Sequence, residues 1–126
     1  MNVFVDANVI IKSFTESADA SACRNVIREY FITNTLCLLE AYHAIKIIKN
    51  DEEYARECMR SLYRSHASIV DVGRDLLFEA LKRISGTPLT IFDCIHYTTA
   101  FLHNCTAIYS YDKDFDGLLI PRQEPQ

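Results

Sequence analysis

An α/β fold, with a central parallel sheet of four to five strands flanked by helices in three layers, is what this chain predicts, on three observations. β-Branched and aromatic runs recur at VFV, FIT, SIVDV and TAIYSY. Helical patterns long enough to cross back over a sheet separate them. Acids stand at the ends of apolar runs, as in NVFVD, LCLLE, LTIFD and TAIYSYD. Strands alternating with helices build βαβ units, whose parallel sheet is covered by helices. At 126 residues and 49% hydrophobic, the chain suits one compact domain over 1–126, with no linker, repeat or low-complexity stretch to divide it.

Each element has a local reason. Val3 to Val5 are a β-branched and aromatic run, and Val9, Ile10, Lys12 and Ser13 then begin a short helix. Asp19 to Tyr30 read as a helix with Cys23, Val26, Ile27 and Tyr30 inward. Phe31 to Thr33 give a brief second strand, after which Asn34 caps a helix from Thr35 to Lys49. That helix is apolar nearly all round, which predicts a central place or a subunit interface. Glu52 to Ser65 carry the stripe Tyr54, Ala55, Cys58, Met59, Leu62 and Tyr63. Ser68 to Val72 read as a third strand, and Gly73 to Ser85 as a helix with Leu76, Leu77, Ala80, Leu81 and Ile84 on one side. Gly86-Thr87-Pro88 breaks it, and Thr90 to His103 are helical again. Thr106 to Tyr111 form the last clear strand, with Leu118 to Ile120 as a short edge strand.

Composition sets limits. The stretch LCLLEAYHAIKII carries Glu40, His43 and Lys46 and is too short to span a bilayer, and no basic and apolar leader opens the chain. The expectation is a cytoplasmic protein without a membrane partner. The five cysteines are odd in number, form no CxxC pair and sit among apolar neighbours, as core thiols do in a reducing compartment. A net charge of -4 argues against an ordinary basic nucleic-acid surface. Yet setting aside Asp6, Glu40, Asp93 and Asp112 from the 17 acids leaves 13, equal to the 13 bases, so the excess equals that set. Bound cations would reverse the local potential, and composition neither supports nor excludes a nucleic acid.

In parallel sheets, ligands bind beyond the carboxyl ends of the strands. Asp6 and Asp112 directly follow strands, while Glu40 and Asp93 lie in the early turns of helices that start near that edge. Four carboxylates meeting there make a divalent-cation site suited to metal-assisted hydrolysis. Each has a plainer explanation. Asp6 caps the next helix, Asp93 completes a capping box with Thr90, and Asp112 makes an Asx turn in Asp-Lys-Asp. Glu40 is harder to dismiss, since Leu36, Cys37, Leu38, Leu39 and Ala41 surround it in sequence. A carboxylate buried there needs a cation, a donor or a raised pKa.

VDANVI, LLEA, FDCIHYTTA and YSYDKDF, in this order and spacing, resemble the PIN domain over nearly the whole chain, closest to the VapC-type toxin ribonucleases of VapBC toxin-antitoxin systems. The resemblance implies a three-layer PIN-like fold and an acidic quartet of Asp6, Glu40, Asp93 and Asp112 holding one or two Mg2+ or Mn2+ ions. Asn8 and Ser110 match polar positions that orient the ligands by hydrogen bond. Asp114 and Asp116 match less securely as ligands through water, and exposed loop acids are the better reading there. Lys12 and Lys113, nearest the acids in sequence, are the candidates for phosphate contact.

These residue types fit phosphodiester hydrolysis, which needs an activated water and neutralised phosphate oxygens but no side-chain nucleophile. The resemblance implies in-line attack leaving a 5'-phosphate and a 3'-hydroxyl on RNA. As a type II toxin, the protein would pair with an antitoxin and form a homodimer, for which the apolar Thr35 to Lys49 helix with Tyr54 and Tyr63 offers a patch. The alternative within the fold is an RNA-processing nuclease outside any such pair.

Other patterns carry less. Arg56, Arg60 and Arg64, like Arg24 and Arg28, line helix faces that track a phosphate backbone or simply pair with Glu52, Glu53 and Glu57. Asp112, Asp114, Asp116 and Gly117 match the first half of a calcium-binding EF-hand loop, but Gln123 stands where a bidentate Glu belongs. Glu40 and His43, with Asp93 and His96, mimic the ligand pairs of a di-iron bundle, against the strand signals. Both histidines are read as side chains at the core edge.

Overall fold

A computed structural model describes residues 1–126. Val3–Val5 (β1) enters the core, and Asp6 caps α1 (Ala7–Phe14) by accepting from the Ala7 N–H. The chain continues through α2 (Ala20–Arg28), β2 (Ile32–Asn34), α3 (Thr35–Lys49), α4 (Glu52–Tyr63) and β3 (Ser68–Val70). Then come α5 (Arg74–Arg83), a 3-10 turn at Ile84–Gly86, α6 (Ile91–Leu102), β4 (Ala107–Tyr109), a 3-10 turn at Lys113–Phe115 and β5 (Arg122–Gln123). Three further side-chain caps set helix starts. The side chains of Asn34, Asp51 and Thr90 accept from the N–H groups of Cys37, Tyr54 and Asp93, as polar residues at these positions do. Asn50, with φ of 49°, ends α3 in the left-handed conformation that asparagine tolerates.

The five strands form one parallel sheet in the order β3-β2-β1-β4-β5. α6 lies on β1, β2 and β4 and packs against α5, while α1 packs against α2 and α3, and α3 against α4. The sheet is thus the middle of three layers. β1 runs through its centre, and Phe4 and Val5 are fully buried. The core joins the helices to β1, β2 and β4 through Val9, Ile10, Phe31, Ile45, Leu62, Ile95 and Ile108. All five cysteines are free and buried within it. No helix is long and apolar enough to cross a membrane.

Register brings the strand ends together. Phe4 stands opposite Ile32 on one side and Ile108 on the other, so Asp6, Asn34 and Ser110 reach the same edge.

The structure departs from expectation in a few places. The edge strand is Arg122–Gln123, not Leu118 to Ile120, because β5 is recruited by the β4 backbone: the Ile108 N–H donates to the Pro121 carbonyl and the Ser110 N–H to that of Gln123. The third strand stops at Val70 rather than running to Val72. Tyr30, Tyr63, Leu77 and Leu81 turn outward, and helix Ala20–Arg28 ends before Tyr30. Tyr54 instead turns in, its hydroxyl donating to the Phe14 carbonyl. The arginines of α4 are tied along their own helix, Arg56 to Glu53 and Arg60 to Glu57.

Candidate metal centre

Asp6 is the buried acid of the set, only 6% exposed at the end of the central strand. One oxygen caps α1 through the Ala7 N–H at 2.8 Å. The other accepts from Ser110 Oγ at 2.7 Å and from Asn8 Nδ2 at 3.2 Å. Cap and site role therefore coexist in one carboxylate. Burial raises its pKa, against the lowering influence of His96, Ser110 and the Ala7 N–H. Ser110 Oγ in turn accepts from the Asp112 N–H at 3.0 Å, and Asn8 Oδ1 accepts from the Tyr111 N–H at 3.1 Å. Two polar side chains so bind α1 to the end of β4 and to the loop that carries Asp112.

Asp93 occupies the first turn of α6. Thr90 accepts from its N–H at 3.2 Å, but the Asp93 carboxylate does not return the bond, so only half of a capping box forms. That carboxylate instead lies with those of Asp112 and Asp114, all within 4.8 Å of one another. Partial burial first, and then the charges of Asp112, Asp6 and Glu40, push the Asp93 pKa up to about 6. Asp112 makes the expected Asx turn, accepting from the Asp114 N–H at 2.9 Å, and still presents itself to Asp93. Asp116 does not join this group. It pairs with Arg122 Nε at 2.7 Å. Lys12 reaches Asp19 at 3.3 Å and lies over the Tyr111 ring, while Lys113 is exposed between Asp112 and Asp114.

Glu40 corrects the sequence argument. Cys37, Leu38 and Ala41 are buried on the core side of α3, but Leu39 is exposed beside Glu40, whose own side chain is 43% exposed. Its tolerance of burial is therefore not what marks it. A hydrogen bond does: His96 Nε2 lies 2.8 Å from Glu40 Oε1. His96 is wholly buried, whereas His43 is exposed and takes no part. The Cys37 N–H donates to Asn34 Oδ1 at 2.8 Å, which turns the Asn34 amide NH2 toward His96 Nδ1 at 3.1 Å. Burial works against the imidazolium, while Cys37, Glu40 and Asp6 favour it and raise the ring's pKa. Burial raises the pKa of the Cys37 thiol. In the neutral ring Nδ1 accepts from the Asn34 amide and the proton sits on Nε2, facing Glu40, and the charged ring keeps that same Nε2–H.

The family model of the PIN domain matches residues 3–118, nearly the whole chain. The chain belongs to the PIN domain family. Solved structures place this PIN domain beside toxins. It superposes on Mycobacterium tuberculosis VapC20, a toxin that cleaves the sarcin-ricin loop, with a TM-score of 0.82 at 14% identity, over 98% of this chain and 99% of that one. A toxin-antitoxin complex from Klebsiella pneumoniae gives a TM-score of 0.75 at 17% identity, over 94% of each chain. VapBC2 from Rickettsia felis, bound to a DNA fragment from its promoter, gives 0.72 at 12% identity over 100% of each chain. No curated protein matches the chain.

The donor set of this PIN domain fits a hard divalent cation. Asp93, Asp112 and Asp114 offer clustered carboxylate oxygens, the ligands that Mg2+ and Mn2+ prefer, and the charge repulsion on Asp93 is what a cation would relieve. Asp6, Cys37 and His96 also lie within 4.8 Å of one another, but both His96 nitrogens already have partners in Asn34 and Glu40. An EF-hand does not form, since Asp116 is held by Arg122 and Gln123 belongs to a strand rather than to an exiting helix. The sheet likewise excludes a di-iron bundle. Asp114, expected as an exposed loop acid, is exposed and lies with Asp93 and Asp112, while sequence reasoning missed Asn34 as the residue behind His96. The spacing of Asp112 and Asp114 was the available signal for that grouping.

Proposed function

We propose that this PIN domain is a divalent-metal-dependent endoribonuclease, the toxin component of a type II toxin-antitoxin pair acting in the cytoplasm. The observation that carries the reading is the group of Asp93, Asp112 and Asp114 at the open edge of the sheet, where partial burial, and then the charges of Asp112, Asp6 and Glu40, push Asp93 up to about 6. Asp6, Glu40, Asp93 and Asp112 would hold one or two Mg2+ or Mn2+ ions, with Asp114 adjoining. When bound, such ions supply an activated water and neutralise the charge on phosphate oxygens.

The chain's own residues supply placement. Ser110 and Asn8 fix the Asp6 carboxylate in one orientation through the bonds of 2.7 and 3.2 Å. Lys113, exposed between two of the acids, and Lys12, tethered to Asp19, contact the phosphate backbone of an RNA strand. Hydrolysis leaves a 5'-phosphate and a 3'-hydroxyl.

Likeness to toxins solved with their antitoxins supports a protein partner, one that covers the sheet edge and extends a basic side chain to the acids. The exposed Leu39, Ile47 and Ile48 of α3 support a symmetric homodimer.

The test incubates the purified protein with RNA in Mg2+ or Mn2+. Cleavage that EDTA abolishes, and that Asp93→Asn and Asp6→Asn each reduce by orders of magnitude, is the expected result. Undiminished cleavage by either variant overturns the reading. Inhibition by a small protein encoded beside the gene separates the toxin from an RNA-processing nuclease.

A further inference from the structure

The contacts of His96 run as an unbroken line from the core to the surface. At the inner end, Asn34 leaves β2 and is fully buried, donating to Thr99 Oγ1 at 3.0 Å and to His96 Nδ1 at 3.1 Å. Its Oδ1 is occupied by the Cys37 N–H, so the amide has one orientation. The His96 ring, packed near Phe4, then points Nε2 outward at Glu40 Oε1, 2.8 Å away. Side chains so tie α6 both to the end of β2 and to α3.

A histidine that only filled the core would satisfy both nitrogens inside it. This one spends its second nitrogen on a carboxylate whose side chain is 43% exposed at the sheet edge. A glutamate so exposed has several rotamers open to it, and a partner fixed by the core selects one. We propose that His96 is a positioning residue of the metal centre: its Nε2–H holds the exposed Glu40 carboxylate where a cation can use it, and Asn34 fixes the ring that does so. This inference rests on the metal-centre reading above.

The experiment measures Mn2+ affinity directly, by electron paramagnetic resonance of free Mn2+, for the full chain and its variants, with melting in EDTA as a check on folding. His96→Leu removes the donor while keeping apolar bulk, and affinity should fall about 10- to 100-fold. His96→Gln places an amide N–H near the position of Nε2 and should restore most of it. A folded His96→Leu protein that binds Mn2+ as tightly as the natural one overturns the inference. Should that variant not fold, 15N spectra of the natural protein decide: a proton on Nε2 in contact with Glu40 supports the inference, and a bare Nε2 overturns it. Asp93→Asn separates the two layers of argument. Loss of Mn2+ there with full binding in His96→Leu defeats the positioning role alone, whereas full binding in Asp93→Asn defeats the metal centre and this inference with it.

Discussion

Asp93→Asn should make the metal-free protein more stable while it destroys the site. The folded pKa of Asp93 is raised from 3.8 to about 6, so the fold disfavours its ionised form. At about 1.4 kcal/mol per pKa unit, the ionised carboxylate costs the folded state at most about 3 kcal/mol above pH 6. Asp93 is only half-buried, and screening by solvent reduces this to about 1–2 kcal/mol. Loss of a negative charge from the first turn of α6 gives back about 0.5 kcal/mol. The net gain is about 1 kcal/mol, a rise of about 3–5 °C in Tm for a chain of this size. The sign follows from linkage. A raised folded pKa means that the native state binds the extra proton between pH 3.8 and 6, so stability falls as pH rises through that window. Urea denaturation in EDTA at pH 7.5 and at pH 4 is the assay, since the advantage of the variant should nearly vanish at the lower pH. A variant no more stable than the natural protein at pH 7.5, with no change between the two pH values, refutes the reasoning.

Three other outcomes are expected. Ser110→Ala removes the 2.7 Å donor to Asp6 and the acceptor of the Asp112 N–H; it should cost about 1–3 kcal/mol in denaturation and weaken Mn2+ binding. Mn2+ at a hundred times its Kd should stabilise the natural protein by about 2.7 kcal/mol, and the gain read by calorimetry should shrink as pH drops below 6, where protons compete for Asp93. Ile47→Glu puts a charge on the exposed apolar face of α3 and should abolish the proposed dimer in sedimentation; a natural protein that is already monomeric at micromolar concentration defeats the proposal.

Strand-terminal acids were the legible part of the site. An apolar run that stops at a carboxylate places it at the sheet edge by direction alone, which is why Asp6 and Asp112 could be located from VFVD and IYSYD. Helix starts were equally plain where Asn34 and Thr90 supply caps. Helical faces were not. In α3 apolar side chains lie nearly all round the helix, so the pattern lacks a preferred direction and does not reveal that Glu40 lies outside. The edge strand was misplaced for a related reason: Arg122–Gln123 has no strand-like composition and pairs through its backbone, which side-chain chemistry does not reveal. The Asn34–His96–Glu40 line joins positions distant in sequence, and no local spacing encodes it.

The central place of β1 also decides when the site can exist. Asp6 is made first, yet its partner Ser110 and its fellow acid Asp112 follow a strand that docks beside β1 only after more than a hundred residues have intervened. A nascent chain that stops before β4 holds Asp6 with neither Ser110 nor Asp112. The acidic set at this edge is therefore withheld from unfinished chains and is complete only once the far end of the fold has emerged.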